Sequence, residues 1–172
     1  MIMFGRFESL IEFAERGGPV FLVVLLTSTL LWMLILERYW YFFIVFPHKL
    51  DDIVRQWRQR RDHSSWYALR IREGLLADIS VAARQFMVPI KAITSILPLL
   101  GLLGTVTGMI AIFDVLNVFG TGNTQGMATG ISRALLPTIA GLVTALAGLY
   151  FSADLDRRVR LNLEKAKDQL QI

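Results

Sequence analysis

Charge is absent from three long stretches of the chain. Pro19 to Leu36 has none, and beyond Glu37 and Arg38 an aromatic-rich segment extends the apolar stretch to Phe46. Ala92 to Phe113 and Ala134 to Ala153 are likewise uncharged. A helix needs about 20 apolar residues to cross a bilayer, and soluble core helices rarely show such runs. The pattern predicts an all-α membrane protein with transmembrane helices at 19–46, 89–119 and 130–153.

The intervening segments alternate polar and apolar positions. Phe4, Phe7, Leu10, Ile11 and Ala14 recur at helical spacing, with Glu8, Glu12, Glu15 and Arg16 on other faces. This predicts an amphipathic interfacial helix over 1–18. Gly17 and Gly18 end it, and Pro19 suits the first turn of the next helix, where a missing N–H costs nothing. Tyr39, Trp40, Tyr41, Phe42 and Phe43 form an aromatic belt at a membrane surface. Pro47 is expected to end or bend that helix. Residues 47–88 mix charge with Trp57, Trp66, Leu69, Leu75 and Leu76, which predicts solvated helical segments. The stretch GTGNTQGMAT, 120–129, is uncharged and turn-forming. In the tail, 154–172, Leu155, Val159, Leu163, Ala166 and Leu170 line one side, so a helix is expected to continue there.

Charge fixes the direction of the chain. Residues 48–88 hold eight Lys and Arg and the tail holds five, against two in the N-terminal segment and none in 120–129. Basic flanks stay on the cytoplasmic side. The N-terminus and the 120–129 loop are therefore expected outside, the 47–88 segment and the tail inside. No short basic start precedes the first apolar run, so the first helix is expected to act as its own insertion signal.

Composition then narrows the chemistry. The chain has 172 residues, 54% of them hydrophobic, a formal charge of +4 and no cysteine; its mean hydropathy is +0.51. Disulfides and thiolate metal sites are excluded. The basic residues flank apolar spans, which disfavours nucleic acid. No phosphate loop, zinc-protease motif or catalytic constellation occurs, and His48 and His63 read as surface histidines. Neither an enzyme nor a metal or other cofactor is expected.

The second and third spans carry small residues where soluble helices carry large ones. In LGLLGTVTG, 100–108, Gly101, Thr105 and Gly108 fall near one face, Gly104 beside it. Ala134, Thr138, Gly141, Ala145, Gly148 and Ser152 make a seven-residue repeat in the third span. Without a hydrophobic drive between helices in lipid, small residues mark close contact faces. Two readings stand: packing within the fold, or a pore wall lined by Thr105, Thr138, Gly101, Gly108, Gly141 and Ala145. An antiparallel hairpin turning near Asn123 and Thr124 would set Asp114 and Arg133 at one depth, as an intramembrane ion pair. The alternative is that Arg133 snorkels alone to the outer headgroups. Lys91 reads as an anchor at the inner interface.

LPLLGLLGTVTGMI (97–110), FGTGNTQGMATGIS (119–132) and RALLPTIAGLVTAL (133–146) together resemble the MotA/TolQ/ExbB proton-channel family, and its ExbB branch most. The resemblance implies a pentameric ring in the bacterial inner membrane. Its lumen, walled by the second and third spans, holds the transmembrane helices of an ExbD-like partner. Proton flow there drives a TonB-like protein for outer-membrane uptake of iron chelates or cobalamin. It implies that Thr105 and Thr138 line the pore. The family often has glutamate where this chain has Arg133, so the proton-carrying carboxylate is expected on the partner. The cytoplasmic segment is short for the family, which disfavours a motor stator. A TolQ-like envelope stator and a non-conducting scaffold are the competing expectations.

Overall fold

The computed structural model describes the backbone of residues 2–63, 65–120 and 124–170, and the side chains of 18–63, 65–117, 120 and 125–170. Every regular element among them is helical: α1 (Ile2–Trp40), a π-helical turn (Tyr41–Val45), α2 (Phe46–Arg58), α3 (Trp66–Arg84), α4 (Met87–Phe119) and α5 (Thr124–Gln169). Three stretches are long and apolar enough to cross a membrane, Gly18–Arg58, Trp66–Asn117 and Gln125–Gln169. Three long apolar helices are what the charge pattern predicts.

Local chemistry sets the breaks. Gly18 has φ 73° and ψ −178° inside α1, a kink that glycine tolerates because it has no Cβ. The amphipathic side chains expected over 1–17 lie outside the described residues, although the backbone from Ile2 is helical. Pro47 stands where α1 has given way, through the π turn, to α2. In that turn Phe46 N–H donates to the Tyr41 carbonyl, five residues back. Pro47 then occupies the first turn of α2, where its lack of an N–H is harmless. The Ser65 hydroxyl caps α3 by accepting from Ala68 N–H at 3.2 Å.

The connection between the last two helices is tighter than the expected 120–129 loop. α4 stops at Phe119 and α5 has begun by Thr124. Gly120, at φ 71°, donates its N–H to the Leu116 carbonyl at 2.9 Å. One left-handed glycine thus closes α4. From Thr124 onward the residues of this stretch, which suit a turn by composition, belong to α5 instead.

Two compact units follow from the packing: Met1–Trp32 with Ala92–Leu149, and Met33–Lys91 with Tyr150–Ile172. In the first, Phe21, Val24 and Leu31 of α1 are buried, as are Leu97 and Ile112 of α4 and Ala134 and Ala145 of α5. In the second, Phe46, Leu50, Val54 and Trp57 bury one face of α2. Leu155, Val159, Ala166 and Leu170 bury one stripe of α5, and Leu163 is half-buried. This is the stripe expected for the tail.

Candidate functional site

The small residues of α4 and α5 meet each other within one chain. A Cβ built on Gly101 would lie 3.0 Å from Thr138 Cα and 3.1 Å from the Pro137 carbonyl oxygen. One on Gly141 would lie 2.7 Å from the Leu97 carbonyl oxygen. Gly104 faces Pro137, and Gly108 faces Ala134, more closely still. Gly148 approaches Thr94 Oγ1 and Leu31, where a Cβ would sit 2.8 and 2.9 Å away. These contacts leave no room for a methyl group, so the glycines bring two backbones together.

Hydroxyls lock the seam. Thr138 Oγ1 donates to the Gly101 carbonyl at 2.6 Å, from α5 to α4. Ser28 and Thr144 share a 3.2 Å hydrogen bond between α1 and α5. Thr105 turns its hydroxyl onto its own helix, donating to Leu102 O at 2.7 Å, and is half-buried. Gly101, Gly141 and Ala145 are buried and Gly108 is half-buried; the three glycines meet the opposite helix across the seam. Of the residues read as pore-lining, Thr105 and Thr138 alone carry a side-chain polar group.

The structure sets Asp114 and Arg133 at different depths. Gly108 lies against Ala134 and Gly130 against Ile112. That register puts Arg133 level with Met109 and Asp114 level with Ala128. Among the described residues no ion pair joins Asp114 to Arg133, and both are exposed. The observed contacts pair positions whose numbers sum to about 242, where the expected hairpin sets Asp114 and Arg133 at about 247.

The second unit holds a polar cluster that periodicity does not reveal. Arg38, 1% exposed, donates to the Ala82 carbonyl at 3.2 Å and pairs with Glu37 at 2.8 Å. Its Cζ lies 4.8 Å from the Tyr41 ring centre and 5.0 Å from that of Phe86. Tyr39 OH donates to Asp154 Oδ2 at 2.6 Å, and Arg158 Nε donates to the same oxygen at 2.7 Å. Arg158 also covers the Phe43 ring at 5.2 Å. Lys91 pairs with Asp156 at 2.6 Å. Glu37 and Arg38 stand at the end of an apolar run, which reads as an interface; nothing in their spacing signals burial.

Three apolar helices with a glycine–hydroxyl seam define a multi-pass membrane protein. The MotA/TolQ/ExbB proton channel family matches residues 48–168, most of the chain, and the chain belongs to that family. It is 25% identical over 170 residues to the biopolymer transport protein ExbB-like 1 of Helicobacter pylori, covering 89% of this chain and 90% of that one. It is 39% identical over 71 residues to ExbB-like 3 of Synechocystis sp., 40% of this chain and 34% of the relative. It is 35% identical over 74 residues to the biopolymer transport protein ExbB of Aquifex aeolicus, 43% of this chain and 50% of that one. The match thus spans about a third of the Synechocystis relative's length.

Proposed function

We propose that this chain is the housing subunit of an ExbB-type stator in the bacterial inner membrane. Five copies form a ring around the transmembrane helices of an ExbD-like partner, and proton flow through the assembly does work on a TonB-like protein. The N-terminus and the 120–123 connection face the periplasm, and the 47–88 segment and the tail face the cytoplasm. The cargo is iron chelate or cobalamin taken up across the outer membrane.

One observation carries this reading. The glycine contacts and the Thr138–Gly101 hydrogen bond fuse α4 and α5 into one wall. From Ala92 to Ala153 that wall has a single carboxylate, Asp114. A wall with hydroxyls and so little acid suits a housing around another chain's proton carrier. Helix pairs held by backbone proximity also keep their shape when the outer face meets a second copy.

The test is co-expression with a candidate ExbD-like chain and native mass spectrometry of the purified complex. A five-fold ring that retains partner chains is the expected result. A monomer or dimer that never retains the partner would overturn the central-lumen reading. Retention without proton flux in liposomes would leave a scaffold. Growth under iron limitation then separates a Ton-type output from a TolQ-like one.

A further inference from the structure

A cavity of about 780 Å³ opens in the first unit, beside the α1 kink at Gly18 and Pro19. It runs along α4 from Gly104 to Val115 and along α5 from Gly126 to Ala134. At 1.5 Å per residue its long axis is about 16 Å. The lining is apolar or small, apart from Thr107, Thr129 and Arg133. Among the described residues Arg133 is its one charged group, and no carboxylate lines it.

We propose that this groove holds one acyl chain of an anionic phospholipid, with the phosphate on the Arg133 guanidinium. The apolar lining suits a hydrocarbon chain. Charge selects the headgroup. A cation in a membrane helix is costly unless it is paired or reaches the interface, and no ion pair forms on Arg133 among the described residues. Helical Cα–Cβ bonds tilt toward the N-terminus. On α5 that direction is the hairpin end, so the arginine extends along the groove toward the headgroup level. Guanidinium and phosphate match as a two-point, charge-assisted contact. The proposal requires only that the chain lie in a bilayer; it does not depend on the ring or its partner.

The test uses the full chain in nanodiscs that mix phosphatidylglycerol with phosphatidylethanolamine, released for native mass spectrometry. The wild-type chain is expected to retain phosphatidylglycerol in preference to phosphatidylethanolamine. Arg133→Gln should lower that occupancy by about tenfold, the loss of a charge-assisted contact, and Arg133→Lys should keep part of it. Ala111→Phe, at an exposed lining position, should exclude the chain while leaving helical content unchanged. A benzophenone side chain at position 111 should crosslink to lipid. Equal retention of the two lipids, undiminished phosphatidylglycerol in both Arg133→Gln and Ala111→Phe, or crosslinking to protein instead of lipid would each overturn the proposal.

Discussion

The Thr138 hydroxyl donates to the Gly101 carbonyl at 2.6 Å, across two helices whose backbones are close enough to exclude a methyl group. The glycine makes the hydrogen bond possible, and the hydrogen bond fixes the rotation of α5 on α4. Interhelical hydrogen bonds in membranes are worth about 0.6 kcal/mol on average and up to about 1.7. Thr138→Val keeps the shape and removes the donor, so it should destabilise the chain by about that range. Thr138→Ser should restore most of the loss. Reversible unfolding in mixed micelles measures both. Thr105 donates only within its own helix, so Thr105→Val should cost less stability. If it lowers proton flux nonetheless, its role belongs to the lumen.

Glycine position, not glycine content, should decide the effect of added methyl groups. Gly101→Ala drives a Cβ against Thr138 Cα and the Pro137 carbonyl. These are backbone atoms of α5 and cannot swing aside. Overpacking of this kind costs about 1–3 kcal/mol. Gly74, in α3, has nothing within 4 Å of its built Cβ. Gly74→Ala should stabilise by up to about 1 kcal/mol through helix propensity alone. Thermal unfolding of both variants in one detergent checks the opposite signs.

The sequence spacing revealed the spans and the small-residue faces because both depend on side chains at fixed helical intervals. It did not reveal the register, which depends on where a turn centres. GTGNTQGMAT is turn-like throughout, yet α4 ends against a left-handed Gly120, and the residues from Thr124 join α5. The observed register separates Asp114 from Arg133. The π turn before Pro47 and the burial of Arg38 escaped for a related reason. Each depends on partners distant in sequence or on a backbone pairing that no residue type announces.

The separation of those two charges has its own measurable consequence. Exchanging them, Asp114→Arg with Arg133→Asp, should rescue neither single variant. Asp114→Asn and Arg133→Gln should add in stability to within about 0.5 kcal/mol, as sites without shared partners do. Coupling beyond that would require a contact absent from the chain described here.

Arg38 offers a sharper test of how α1 is pinned beside α3 and the start of α4. Its guanidinium lies near two aromatic rings, bonds the Ala82 carbonyl and pairs with Glu37. Lysine carries the charge but lacks the planar fork that stacks on Tyr41 and Phe86 while donating sideways. Arg38→Lys should therefore lose much of what Arg38→Ala loses. A charge-assisted hydrogen bond contributes about 1.5–3 kcal/mol, and that is the expected cost of Arg38→Ala. Phe86 sits at φ 61°, a left-handed conformation that costs a non-glycine residue about 1–2 kcal/mol. Phe86→Gly relieves that strain and deletes the ring over Arg38, so its net effect should be smaller than that of Arg38→Ala. Combining the two should be less than additive, since each removes the same stacked pair. Strict additivity in a double-mutant cycle, measured by reversible unfolding, would mean that the ring and the guanidinium act independently and that the left-handed joint holds without the arginine.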